Sequence, residues 1–281
     1  MDYREYSVPE ALSRHVRCLW RLRDATPADA VQTIYPDGHC ELIVHLKSPP
    51  VAWDPATGWH PQAATLFAAQ RVTAVRLRVA KPLDCIGVRL HPAASGLFGT
   101  RATGEHRDRI SDLSRIDPAF SKSFQSAARA FASDDAAKLW RLIARRIAGH
   151  SLDERIHAAV LRLTASDGRS RIDAVARAAG MSMRGFQIRF RQCVGTTPKE
   201  FARLMRLQAT LRALDGDASL STLAADTGFS DQAHATRELR RVTGLTPARL
   251  RAELRRDKEG DAAVRLAAAF VRGYAVAATG R

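Results

Sequence analysis

Arg184, Gln187, Ile188 and Arg191 recur at spacings of three and four within the run Ser182-Met183-Arg184-Gly185-Phe186-Gln187-Ile188-Arg189-Phe190-Arg191. On a helix this spacing puts them on one side and leaves Phe186 and Phe190, four apart, as an inward stripe. Arg and Gln near the start of an exposed helix suit base edges in the DNA major groove, because Arg is bidentate to guanine and Gln to adenine. A second run, residues 231–241, turns Ala235 and Leu239 inward and leaves Ala233, His234, Arg237 and Arg240 outward, with Gln232 at its start a further candidate contact.

The two runs belong to one internal repeat. Ala176, Gly180 and Ser182 recur 48 residues later as Ala224, Gly228 and Ser230, and Gly195 and Pro198 recur 49 later as Gly244 and Pro247. In each copy a short helix, residues 172–179 or 220–227, meets a glycine where a positive φ costs least, and a serine then opens a second helix. This turn chemistry predicts a helix-turn-helix, with the small Ala176 and Ala224 where the two helices approach most closely. Such units also serve protein contacts; two spaced copies with basic outward faces favour DNA.

Between the copies, Thr197-Pro198-Lys199-Glu200 reads as a capping box opening a helix that runs to about residue 214. Phe201, Leu204, Met205 and Leu211 form its apolar stripe, and Arg203 and Arg206 are expected outside it. About seventeen residues span roughly 25 Å, a stiff spacer for two recognition helices.

Taken together, residues from about 152 to 255 resemble the DNA-binding domain of the AraC/XylS family of bacterial regulators. The resemblance is carried by Ala176-x-x-x-Gly180-x-Ser182, Phe186 and Phe190, and by Gly228-Phe229-Ser230-Asp231 with Gly244-Leu245-Thr246-Pro247. It implies seven helices, with two recognition helices entering consecutive major-groove turns on one face of promoter DNA, and RNA polymerase as a partner if the protein is an activator. The second unit departs from the family pattern, carrying Ala235 and Leu239 where aromatics are usual. Residues 1–115 resemble the β-rich sensory domains of one branch of that family through Tyr35-Pro36-Asp37-Gly38-His39-Cys40-Glu41-Leu42-Ile43-Val44 and Gly87-Val88-Arg89-Leu90-His91-Pro92. That resemblance implies a cupin-like barrel holding a small-molecule effector.

The periodicity agrees with this division. Up to about residue 115 apolar residues alternate, as in Leu42, Val44, Leu46 and Val75, Leu77, Val79, which is the period of strands. Residues 36–38 read as a turn; residues 47–50 and 53–59 read as loops. Beyond about residue 134 the spacing becomes helical. The fold class expected is α+β and multidomain. It comprises a mainly-β cupin-like barrel (1–115), a helical connector (116–150), an all-α domain with two helix-turn-helix units (151–258) and a tail (259–281) forming a short amphipathic helix. In the connector, Leu139, Leu142, Ile143 and Ile147 make an apolar face that either joins two copies into a homodimer or packs inside the chain.

On the strand after the turn, Cys40, Leu42, Val44 and Leu46 share one face, and His39, Glu41, Ile43 and His45 the other. His39, Glu41 and His45, with Tyr35, Trp53 and Trp59, are the candidate effector contacts. A metal is one reading of the His and Glu face, but no fourth ligand is specified, and a polar pocket lining is preferred. Trp53 and Trp59 serve either as loop anchors or as stacking surfaces.

The chain has 281 residues with 46% apolar and 26% charged, a globular composition. Its 44 Lys and Arg against 29 Asp and Glu give a net charge of +15, which suits a polyanionic partner. Four cysteines without a Cys-x-x-Cys pair indicate neither a disulfide framework nor a zinc knuckle, and fit a reducing cytoplasm. The first residues lack a basic and apolar leader, and no stretch has the length of a membrane span, so a cytoplasmic, nucleoid-associated protein is expected. No nucleophile with its base, acid–base pair or phosphate-cradling loop stands at diagnostic spacing, so neither an enzyme nor a cofactor is expected.

Overall fold

The computed structural model describes residues 2–24, 31–79, 82–98, 109–131, 136–214, 216 and 219–258, with side chains to residue 252. The expected amphipathic helix of the tail lies outside these residues.

Among the described residues ten strands form two antiparallel sheets: β1 (Asp2–Tyr6), β2 (Val16–Asp24), β3 (Val31–Ile34), β4 (Cys40–His45), β5 (Val51–Asp54), β6 (Gly58–Pro61), β7 (Thr65–Ala68), β8 (Val75–Arg78), β9 (Leu83–Leu90) and β10 (Ile110–Asp112). One sheet has the order β1-β2-β9-β4-β7-β10 and the other β3-β8-β5-β6. The cupin-like half is thus two hydrogen-bonded ladders around a shared interior, and its barrel is not closed. Residues 53–59 are not the loop expected: Trp53 pairs with Trp59 across the β5–β6 hairpin, their rings 5.4 Å apart edge to face. The aromatic cross-strand pair and the Asp54 carboxylate, which accepts the Ala56 and Thr57 N–H groups, close this hairpin.

The alternation in β4 has the expected consequence. Cys40, Leu42 and Val44 are buried under a helical layer, while Glu41, Ile43 and His45 face the space between the sheets. That layer contains α1 (Leu113–Ile116), α2 (Pro118–Phe131) and α3 (Ala136–Ile147). Phe120, Phe124, Ala128 and Phe131 of α2 and Leu139, Ile143 and Ile147 of α3 share one core with β4. The Thr65 and Ser121 hydroxyls, 2.6 Å apart, tie β7 to α2, and Arg146 reaches Asp117 at 2.8 Å. Leu139, Ile143 and Ile147 of the α3 face therefore pack inside the chain and are not available to a homodimer, while Leu142, the fourth residue of that face, is half-buried at its edge.

The remaining helices are α4 (Glu154–Ala165), α5 (Ile172–Ala178), α6 (Met183–Val194), α7 (Pro198–Leu214), α8 (Leu220–Asp226), α9 (Gln232–Thr243) and α10 (Pro247–Lys258). Their seven-helix order is the one the resemblance implies. They share a single core including Ile156, Val175, Phe186, Phe201, Leu211 and Leu239. Among the described residues no helix is long and apolar enough to cross a membrane.

Ile143 has no exposed surface, and deleting its side chain beyond Cβ leaves a cavity in the α2–α3–β4 core. Ile143→Ala should lower unfolding stability by about 2–5 kcal/mol in a denaturant titration, with the sedimentation coefficient of the folded protein unchanged. A folded variant with lower mass would instead identify this face as an intermolecular contact.

Candidate nucleic-acid interface and effector cavity

In the first unit Gly180 turns the chain between α5 and α6 at φ +64°, and the Ser182 hydroxyl caps α6 by accepting the Gly185 N–H at 3.2 Å. In the second, Gly228 turns at φ +78°, but the cap is Asp231 rather than the expected Ser230: its carboxylate accepts the His234 N–H at 2.7 Å. A charged acceptor at a helix N-terminus is the stronger cap, and Ser230 Oγ donates to that same carboxylate at 3.0 Å. Ala176 and Ala224 are buried at the helix contacts, as their size requires.

Phe186 and Phe190 are fully buried, and Arg184, Gln187, Ile188 and Arg191 are exposed on the opposite face of α6. Ile188 is 51% exposed, an isolated apolar side chain among polar ones that suits a thymine methyl. Arg189 instead turns to Asp153, 2.7 Å away, where the same carboxylate caps α4. On α9, Ala235 and Leu239 are buried despite their size, and Gln232, Ala233, Arg237 and Arg240 are exposed. His234 is half-buried, with Ser230 Oγ 3.1 Å from its Nδ1 and the Phe229 ring 5.3 Å away edge to face, so it is less available than an outward side chain.

Between the units α7 opens with the capping box read from the sequence: the Glu200 N–H donates to Thr197 Oγ1 at 3.2 Å and the Thr197 N–H to Glu200 Oε2 at 3.1 Å. Arg203 is exposed, but Arg206 is not fully so. Its guanidinium lies 6.0 Å over the Phe229 ring, and burial lowers its pKa. The cation–π contact explains the difference from the outward position expected.

The N-terminal half encloses a cavity of about 110 Å³ between its two sheets. Tyr35, His39, Glu41 and His45 line it, as does the indole of Trp20. Trp53 and Trp59 stand elsewhere: Arg78 packs over Trp59 at 4.6 Å and Arg76 lies near both rings. At one end Arg89, almost wholly buried, donates from Nε to Glu41 Oε1 at 2.9 Å and lies 3.7 Å from Asp37; Trp20 Nε1 donates to the same Glu41 oxygen at 3.1 Å. Burial pushes the Glu41 carboxyl up against the pull of Arg89. Burial acts the same way on Asp37, but His39 and Arg89 beside it hold that carboxyl well below the usual range. Burial raises the Cys40 thiol to about 12, as befits a core residue. Among the described residues no group of three or more His, Cys, Asp or Glu side chains is arranged to hold a metal ion.

Two loops of this cavity reach the helical domain. Gly38 takes φ +87°, and a Cβ there would lie 2.7 Å from the Met205 methyl and 3.3 Å from the Phe201 ring, both on α7. Gln208 of α7 donates from Nε2 to the Pro36 carbonyl, Gln70 donates likewise to the Gly38 carbonyl, and the Ala74 N–H donates to the Val242 carbonyl of α9 at 3.0 Å. The 3-10 helix Pro92–Leu97 packs against the end of α6, the His91 and His157 rings lie 4.4 Å apart at a tilt of 37°, and Arg14 pairs with Glu154. None of these contacts is visible in local sequence. Gln208 is the clearest, a polar residue within an apolar run whose partner is 172 residues away.

The fold and this arrangement define a protein with a double helix-turn-helix domain joined to a cavity-bearing β half. Residues 175–253 match the family model described as a helix-turn-helix domain, and residues 4–112 match a domain of unknown function (DUF6597). The C-terminal domain is a helix-turn-helix domain of the AraC type. No curated protein matches the chain in sequence. Among solved structures, a probable AraC family transcriptional regulator of Rhodopseudomonas palustris is 24% identical over 36% of this chain and 98% of its own, with a TM-score of 0.34. ToxT of Vibrio cholerae with bound unsaturated fatty acid is 11% identical over 83% of this chain and 93% of its own, with a TM-score of 0.43. ToxT with bound (E)-4-(8-methylnaphthalen-1-yl)but-3-enoic acid is 10% identical over 90% and 100%, with a TM-score of 0.44.

Arg184, Gln187 and Arg237 are exposed near the starts and middles of α6 and α9, where the sequence predicts base contacts. Replacing each singly by Ala should relax preference at one base pair by about 1–3 kcal/mol, measured against a library of operator variants. Equal weakening across every sequence would show that they touch phosphates instead.

Proposed function

We propose that the chain is a sequence-specific regulator of transcription that binds double-stranded promoter DNA through α6 and α9 and is controlled by a small molecule in the N-terminal cavity. One observation carries the reading: two capped recognition helices keep Arg, Gln and small side chains exposed on faces opposite a shared core, with α7 as the stiff element between them. Gln232, Ala233, Ile188, Arg191 and Arg240 complete the contact set, with His234 reoriented if it takes part. Tyr35, His39, Glu41 and His45 contact the effector, and Trp53 and Trp59 are assigned to the β5–β6 hairpin.

Control by the cavity follows from shared residues. Tyr35 lines the cavity and is also part of the helical domain's core, and residues 36–38 sit between the buried Arg89 cluster and α7. An occupant that shifts this turn changes what α7 packs against. RNA polymerase is a partner if the protein activates, the site of action is the nucleoid in the cytoplasm, and no catalytic activity is assigned. The chain divides into domains at 1–115, 116–150 and 151–258, and a homodimer would use a face other than Leu139, Ile143 and Ile147 of α3.

Binding through phosphates makes log affinity fall linearly with log salt concentration, with a slope loss of about 0.9 for each contact removed. Arg191→Ala, Arg203→Ala and Arg240→Ala should each flatten the slope by that amount. Arg206→Ala should leave the slope unchanged and lower stability, because its guanidinium covers Phe229. Affinity without salt dependence would remove the DNA-binding reading.

A further inference from the structure

We propose that the cavity between the sheets takes a small, uncharged, largely apolar molecule whose one polar group both donates and accepts a hydrogen bond and meets His45 beside Gln62. The proposal rests on the effector reading above and adds the chemistry of the effector.

The walls set the apolar part. Trp20, Leu22, Ile43, Leu77, Val79 and Leu83 line the space from both sheets, and matching apolar surface is what they would bury. The polar contact is set by His45, which lines the same cavity and is only 8% exposed. Its backbone N–H is held by the Ala64 carbonyl at 2.9 Å, while neither ring nitrogen makes a hydrogen bond of full geometry, the Gln62 side chain being the one polar neighbour that draws the ring's pKa back up against burial. A buried imidazole left in this state is costly, and an occupant that bonds to the ring removes the cost. Burial lowers the ring's pKa to about 4, so at neutral pH it is uncharged, with one nitrogen donating and the other accepting. The Gln62 amide, also at the lining, offers one group of each kind. A hydroxyl or a primary amide satisfies such a pair; a carboxylate only accepts and an ammonium only donates.

Charge is disfavoured for a second reason. The carboxylates around the cavity are already engaged, Glu41 and Asp37 with Arg89 and Asp37 with His39 at 3.6 Å, and Arg71 donates to the neutral Thr73 hydroxyl at 3.2 Å. An ion would leave water for apolar walls and a neutral imidazole, a poor exchange without a committed countercharge.

Four probes on one skeleton test this on the full chain: 4-ethylbenzyl alcohol, 4-ethylbenzoate, 4-ethylbenzylammonium and 4-ethyltoluene, each titrated by calorimetry at pH 7. The alcohol should bind at least tenfold tighter than either ion. His45→Leu, which keeps the site apolar and filled, should weaken the alcohol about tenfold and leave 4-ethyltoluene within about twofold. Gln62→Leu provides the same test if His45→Leu does not fold. Equal or tighter binding of an ion, an alcohol affinity indifferent to both substitutions, or no binding by any probe overturns the proposal. DNA affinity measured alongside separates the two readings. Alcohol binding that leaves DNA affinity unchanged removes effector control but keeps the cavity chemistry, whereas an ion that binds best and shifts DNA affinity does the reverse.

Discussion

Helix α7 is buried over most of its surface, with Lys199 and Arg203 its exposed residues, and the rest of the molecule is arranged around it. Eleven of its seventeen residues are buried, including the polar Gln208 and Thr210. The buried polar side chains of such a helix must find partners inside the protein. Thr210 Oγ1 does so on the Arg206 carbonyl at 2.8 Å, and Gln208 reaches the Pro36 carbonyl in the β-rich half. One helix thus packs against the first unit through Phe201 and Phe190, rings 5.8 Å apart, and against the turn at residues 36–38 through Met205. Its Arg206 meets Phe229 of the second unit.

This packing joins the helical domain to the cavity-bearing half without a dedicated hinge. The turn at residues 36–38 has one side on the buried Arg89–Asp37–Glu41 group and the other on α7. Breaking a buried ion cluster by removing one member leaves an uncompensated charge, so the cluster holds the turn in one place. Gly38 lets the backbone approach where any side chain would strike Met205. The loop at residues 36–38, which carries no regular structure, is in this way fixed on both sides.

The features legible in the sequence were those set by neighbours within a few residues. The glycine turns, the Ser182 cap, the Thr197–Glu200 capping box and the alternation of β4 are local devices, and each occurs where the residues indicate. Two sequence-adjacent acceptors left the second unit's cap open to error, since Ser230 and Asp231 both cap well and only the structure shows the carboxylate winning. Residues 53–59 carry Asp, Pro and Gly in the pattern of a loop, and their pairing depends on Trp53 meeting Trp59 across the turn. The apolar face of α3 could not be assigned from its own period, because α2 and β4, which cover it, lie elsewhere in the chain. Arg206 and Gln208 were hidden for the same reason. Of the cavity, the polar face of β4 was readable, but Trp20, Gln62 and Arg71 come from other strands and loops and had no local signal.

The central claim is that α7 holds α6 and α9 for simultaneous entry into adjacent turns of one DNA face. Hydroxyl-radical footprinting of the full chain on sequences selected from a random duplex library tests it most directly. The account predicts two protected patches on the same face, about 10 base pairs apart, with Gln187→Ala altering the selected sequence in one patch only. A single patch, two patches on opposite faces, or no sequence enriched over the starting library would contradict it.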